Sequence, residues 1–199
     1  MTITVFDYGA GNLHSLVKVL AGTGRPVRLE TDLQRALDTD LLVLPGVGAF
    51  SAAANRMADA RDAAREALAH GLPCLGICLG MQLLFDASDE GPGTGLGLIP
   101  GRVTRLTAGR VPQIGWNSLD DASNTLFARS ALRMAYYANS FVCRPDDASY
   151  VVAWSTHDGD RFAAAVRAGR TMGVQFHPEK SSAPGVAFIR QFVDDVLSS

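Results

Sequence analysis

The chain has 199 residues, 47% of them hydrophobic and 19% charged, with a formal net charge of −2 at pH 7. This ordinary globular balance excludes the strong basic footprint by which a protein meets nucleic acid or an anionic membrane surface. The uncharged run at residues 71–85 is too short and too interrupted by Gly and Pro to span a membrane, and three cysteines without a C-x-x-C pair fit a reducing cytoplasm.

ITVFDY, residues 3–8, reads as a strand with no basic leader before it. The turn GAGN then gives way to the helical pattern LHSLVKVL. PVRLE and DLLVLPG are further strands, the second apolar enough to be covered on both faces of a parallel sheet. SAAANRMADARDAAREALAHG, residues 51–71, is Ala-rich and free of internal Gly and Pro, which predicts one helix capped at Gly71. LPCLGI is the next buried strand and LGMQLLFDAS the next helix. Strand–helix alternation of this kind implies a parallel sheet.

After Gly91 the texture changes. A Gly/Pro-rich stretch leads into GRVTRL; then MAYYANSFVCRP, YVVAWSTHDGD and RFAAAVRAGRTMGVQFHP read as strands joined by turns, with HDGD a hairpin signal. APGVAFIRQFVDDVL closes the chain as an amphipathic helix. The expected fold is a single α/β domain over residues 1–199. It has a mostly parallel central sheet flanked by helices and extra antiparallel strands in its C-terminal half.

Chemistry concentrates in two short motifs. In GICLG, Cys78 stands between Gly76 and Gly80 where a strand meets a helix. A side chain on such a sharp turn projects from the carboxyl edge of a sheet, and only residues without a Cβ leave room beside it. Amides at the start of the following helix favour a thiolate and could hold an oxyanion. A free Cys in a core strand explains the same residues, because free Cys is among the most buried types.

A thiol nucleophile needs a base, and the base an orienting group. Of the four histidines, His14, His70 and His157 suit surface positions. His177, in FHPEK, is kept extended by Pro178, which sets Glu179 two residues on and on the same side. An exposed loop His beside a solvated Glu is the plainer alternative. Gly46 and Gly48, in LPGVGAF, follow a buried strand and could present backbone N–H groups to a substrate. GAGNLH has His14 where a dinucleotide loop would require Gly, which disfavours nucleotide binding.

Taken together, GICLG followed by HPE resembles the class I glutamine amidotransferases, whose fold is flavodoxin-like and whose Cys–His–Glu triad hydrolyses glutamine. DYGAGN, PGVGAF, GICLGMQLLF, VPQIGWN and QFHPEKS resemble, in order and spacing, the branch of glutaminase subunits serving imidazole glycerol phosphate synthase in histidine biosynthesis. The resemblance implies that Cys78 is the nucleophile, His177 the proton carrier and Glu179 its orienting carboxylate. It implies an oxyanion site at the amides of Leu79 and of Gly46, Val47 and Gly48. Gln82, Ser140 and Phe141 would contact the amino-acid end of glutamine. It implies no cofactor and no metal, and as partner a (β/α)8 cyclase subunit that takes the ammonia, with Asn12, Trp116 and Lys180 facing it. Two sites depart from many relatives: Gln113 replaces a His, and Asn139–Ser140–Phe141 replaces His–Ser–Tyr. Another ammonia-transferring synthase, a stand-alone γ-glutamyl hydrolase, or a non-enzymatic module on the same fold remain as alternatives.

Overall fold

Every residue of Leu41–Leu44 is fully buried, as a strand covered on both faces must be. In the computed structural model, which describes residues 1–9 and 13–198, this strand lies inside a seven-stranded sheet. The first half of the chain forms β1 (Ile3–Phe6), α1 (His14–Ala21), β2 (Val27–Glu30), α2 (Leu33–Ala36), β3 (Leu41–Leu44), α3 (Phe50–Met57), α4 (Arg61–Ala69), β4 (Cys74–Ile77) and α5 (Leu79–Gln82). Then come β5 (Ala87–Ser88), β6 (Gly101–Arg105), β7 (Gln113–Ser118), α6 (Thr125–Ser130), β8 (Met134–Asn139) and β9 (Phe141–Pro145). The chain ends with β10 (Val151–His157), β11 (Asp160–Ala168), β12 (Thr171–Val174) and α7 (Ser182–Leu197).

The sheet runs β10-β11-β12-β4-β3-β1-β2. Its parallel part, β2-β1-β3-β4-β12, has the flavodoxin-like strand order. β10 and β11 extend it antiparallel. Their hairpin turns at Asp158 and Gly159, with φ of +47° and +86°, the left-handed pair that an Asp-Gly turn supplies. Strand alternation splits the core in two. Ile3, Val5, Leu41, Val43, Leu75 and Ile77 meet Leu16 and Leu20 of α1 and Phe188, Ile189 and Phe192 of α7. Phe6, Leu42, Leu44 and Cys74 meet Phe50, Ala53 and Met57 of α3 and Ala64 and Leu68 of α4. Each large side chain so buried contributes about 1.5–3 kcal/mol.

Three expectations need correction. The helix over residues 51–71 divides into α3 and α4 around a tighter turn at Ala58–Ala60, with no Gly or Pro to mark the break. Its C-terminal cap is as expected: Gly71, at φ +101°, donates to the Leu68 carbonyl and Leu72 to that of Ala67, the Schellman pattern. The helix expected over LGMQLLFDAS stops after one turn. The carbonyls of Leu83, Leu84 and Phe85 accept from Leu96, Leu98 and Gly97 of the Gly-rich loop, so no partners remain to propagate a helix. Finally, MAYYANSFVCRP is not one strand but two, β8 and β9. They part at Ser140, β8 pairing with β7 and β9 with β6 in two smaller sheets.

Candidate active site

Cys78 is the residue between β4 and α5, with φ +48° and ψ −104°. A non-glycine residue is rarely held there, and such strain gathers at functional sites. Its neighbours explain both flanking glycines. A Cβ on Gly76 would stand 2.6 Å from the Gly80 carbonyl oxygen, and one on Gly80 would stand 2.0 Å from that of Leu44. The turn therefore packs backbone on backbone between β4, α5 and β3, and only glycine fits at either place. Because α5 is a single turn, it brings no long helix dipole to the sulfur.

His177 sits at the end of the extension of β12, its backbone extended at φ −102°, ψ 93° as Pro178 requires. The chain then turns immediately through Pro178–Lys180, so Glu179 reaches the imidazole across a turn and not along a strand. Nδ1 of His177 lies 2.9 Å from Oε1 of Glu179, with both side chains buried. Ser181 locks this turn: its hydroxyl donates to the His177 carbonyl at 2.7 Å and accepts from the Tyr136 amide at 2.9 Å. Gly185 of α7 packs so closely that a Cβ would come 2.2 Å from the Pro178 carbonyl oxygen. The other imidazole edge faces Cys78. Burial pulls the His177 pKa down, but hydrogen bonds to Cys78 and Glu179 and the charges of both outweigh it, raising it from 6.5 to about 9. His70 and His157, by contrast, rest against the carbonyls of Glu66 and Arg110.

Gly46 ties the two motifs together. A Cβ there would lie 2.9 Å from Cε1 of His177 and 3.0 Å from Cβ of Cys78. Beside it opens a cavity of about 270 Å³ lined by Gly46, Gly48, Cys78, Leu79, Gln82, Glu90 and residues 138–141. Six residues expected at a substrate site (Gly46, Gly48, Leu79, Gln82, Ser140 and Phe141) thus share one cavity with Cys78. Val47 lies just outside it, in a smaller cavity of about 110 Å³ with Gly46, Glu179 and Lys180. Tyr8 donates its hydroxyl to the Pro45 carbonyl at the head of this loop.

Two residues at the site were not anticipated. Glu90 enters from the Gly-rich segment, its carboxylate accepting from the Phe50 amide at 2.9 Å; nothing local distinguishes it from a solvated loop residue. Gln175, fully buried, donates to the Cys78 sulfur at 3.5 Å; its place in the motif QFHP was the available signal. The two departures noted above meet in space, since Gln113 and Asn139 face each other across β7 and β8. Both amide atoms of Gln113 and Oδ1 of Asn139 are buried without a hydrogen-bond partner. Among the described residues, no three His, Cys, Asp or Glu side chains gather as a metal would need.

Of the residues expected at a partner surface, Asn12 lies outside the described residues. Trp116 is 50% exposed on β7, in edge contact with Tyr136, and Lys180 is exposed beside Glu179. Cross-strand pairing puts Ile114, Trp116, Tyr136, Ala138 and Met134 on one face of the β7–β8 ribbon. Ile114 and Met134 on that face are 68% and 53% exposed, and Ala138 also lines the substrate-sized cavity. Among the described residues no helix is long and apolar enough to cross a membrane.

Comparison with known proteins gives a consistent result. Residues 4–196 match the family model "Glutamine amidotransferase class-I". The chain is 42% identical to "Imidazole glycerol phosphate synthase subunit HisH" of Halobacterium salinarum, covering 97% of this chain and 93% of that protein. It is 41% identical to the protein of that name from Thermus thermophilus (95% of each) and 40% identical to that from Synechocystis (99% and 98%). Among solved structures, a glutamine amidotransferase superposes with TM-score 0.76 at 18% identity over 99% of both chains. A glutamine amidotransferase from Thermotoga maritima superposes with TM-score 0.64 at 18% identity, over 99% of this chain and 84% of the other. At that identity the two structures speak to the fold alone.

Proposed function

The chain belongs to the class-I glutamine amidotransferases, and we propose that it is the glutaminase subunit of an imidazole glycerol phosphate synthase, supplying ammonia for histidine biosynthesis. The observation that carries this reading is a cysteine in a strained turn, set beside a buried His–Glu pair at the wall of a cavity sized for one amino acid.

The geometry sets the proton inventory. With a pKa near 9, His177 holds a proton at neutral pH beside the sulfur. The sulfur of Cys78 attacks the side-chain amide carbon of glutamine, forming a C–S bond and placing charge on oxygen. Backbone N–H groups of Leu79 and of the Gly46–Val47–Gly48 loop stabilise that oxyanion. As the intermediate collapses, the C–N bond breaks and the nitrogen takes the proton from His177, leaving as ammonia and a glutamyl thioester. Neutral His177 then removes a proton from water as its oxygen attacks the thioester; the C–S bond breaks, the sulfur and the protonated imidazole are restored, and the new carboxyl gives its remaining proton to solvent as glutamate leaves. Glu179 holds Nδ1 of the ring throughout, so the other nitrogen alone faces the chemistry.

The far end of the cavity suits an amino acid's polar groups. Gln82 uses both protons of its amide inside the protein, on the Phe141 carbonyl and on Gln175, leaving its oxygen as an acceptor. That oxygen and the Glu90 carboxylate meet the α-ammonium of glutamine, and the Ser140–Phe141 segment meets its carboxylate. Ammonia released into water would be protonated and lose its nucleophilicity, so it must pass directly to an acceptor site. The partner is a (β/α)8 cyclase subunit docked on the exposed apolar face of the β7–β8 ribbon, with Trp116 as its anchor and Lys180 at its border. The setting is the cytoplasm. The test is Cys78→Ala in the assembled synthase: glutamine-dependent synthesis is lost while synthesis from added ammonium salt persists. Loss of both, or of neither, refutes the assignment.

A further inference from the structure

We propose that Gln175 is a catalytic residue of this site: an N–H donor to the Cys78 sulfur whose direction is fixed by a chain of amides starting at the Phe141 carbonyl. The inference rests on the reading of Cys78 as the nucleophile.

A backbone carbonyl can only accept. The Phe141 oxygen receives Nε2 of Gln82 at 3.1 Å and Nδ2 of Asn139 at 3.1 Å, so Gln82 must turn its NH2 group, not its oxygen, toward it. The same NH2 reaches Oε1 of Gln175 at 3.3 Å. With its oxygen claimed on that side, Gln175 presents Nε2 on the other, 3.5 Å from Sγ of Cys78. Reversing Gln175 would set two NH2 groups against each other and an amide oxygen against the sulfur. Its backbone does not yield either: the Gln175 amide donates to the Ala164 carbonyl at 2.9 Å, and neighbouring Phe176 is wedged edge-on between Tyr137 and Phe188.

The direction matters because the two forms of the sulfur differ in what they accept. A thiolate is the stronger acceptor, so an N–H aimed at it stabilises the anion over the thiol. It also gives the sulfur a fixed contact on the side away from the substrate, while Cys78 lines the cavity. Gln82 lines that cavity, so the group that greets the substrate also sets the polarity of the donor behind the nucleophile.

The test is alkylation of Cys78 by iodoacetamide across pH 5–10 in the full chain, with the modified residue located by peptide mass mapping; Cys74 and Cys143 are fully buried, whereas Cys78 lines the cavity. Three variants are compared. Gln175→Glu keeps the oxygen that Gln82 needs and loses the donor. Gln175→Met keeps the volume without charge, and decides the matter if a buried Glu prevents folding. Gln82→Met leaves Gln175 in place without its orienting partner. In both Gln175 variants, alkylation near neutral pH slows about tenfold and its half-maximal pH rises by about one, while the high-pH plateau is kept. Glutaminase kcat in the assembled synthase falls at least about tenfold with little change in KM; Gln82→Met shifts the profile the same way and also raises KM. An unshifted profile in folded Gln175→Met, with Cys78 still essential, overturns the role of Gln175 and leaves the glutaminase reading standing. Glutamine hydrolysis that survives Cys78→Ala overturns the reading itself.

Discussion

Gly46→Ala is the most instructive small perturbation. The φ of Gly46 is not among the positive ones, so alanine fits the backbone and the effect is steric. The added methyl would stand 2.9 Å from Cε1 of His177, 3.0 Å from Cβ of Cys78 and 3.0 Å from the Ile77 carbonyl oxygen. Carbon atoms in contact rest at about 3.5–4.0 Å, so something must move by roughly 0.5–1 Å. Ile77 is strand backbone and Cys78 is held in the turn, which leaves the imidazole or the 45–48 loop to yield. A misplacement of about 1 Å at reacting groups costs on the order of 100-fold in rate. We therefore expect glutaminase kcat in the assembled synthase to fall about 100-fold, with ammonium-dependent synthesis unchanged and the thermal midpoint lowered by only a few degrees. The assay is glutamate release, run beside the ammonium-dependent reaction. Full glutaminase activity in a folded Gly46→Ala protein would show that position 46 does not adjoin the Cys–His contact, and the geometry would be wrong.

Three further outcomes follow from the same site. Glu179→Gln exchanges the acceptor at Nδ1 for an amide that competes for the wrong ring tautomer, and kcat should fall about 100-fold or more; a loss under threefold would deny Glu179 its role. The His177 pKa is raised from 6.5 to about 9 on folding, so its contribution to stability is whole below about pH 6.5 and disappears as pH rises through 9. Urea midpoints of wild type and His177→Asn should therefore converge between pH 6.5 and 9, and a constant gap would contradict the shift. Trp116→Ala should weaken binding of the cyclase subunit about 30-fold, as loss of a central aromatic anchor does, with the far-UV spectrum unchanged; unaltered affinity by calorimetry would move the interface elsewhere.

Much of the site is legible locally because its constraints are local. Gly76 and Gly80 announce a turn too tight for any Cβ, and Pro178 announces an extended His177. Asp158–Gly159 likewise dictates its own hairpin, and Gly71 its own helix end. What was not legible depends on contacts distant in sequence. The one-turn length of α5 is set by loop amides at 96–98 that capture its carbonyls. The parting of β8 from β9 is set by which strands, β7 and β6, are available to pair. Glu90 carries no local mark, since a glutamate in a Gly-rich loop is commonplace, and Gln175 is marked only by its place in QFHP. Only the fold shows the one beside the cavity and the other behind the sulfur. α2 was overlooked despite a local signal, the Asp32 side chain that caps it by accepting from the Arg35 amide.

In the mechanism proposed above, one thiol of three, at position 78, bonds to the carbonyl carbon of a glutamine side chain. It is tested most directly by treating the assembled synthase with an electrophilic glutamine analogue and mapping the adduct by mass spectrometry. A single adduct on Cys78, formed in step with the loss of glutaminase activity and absent from His177→Asn at neutral pH, is the expected result. An adduct on Cys74 or Cys143, or full inactivation with Cys78 unmodified, would contradict it.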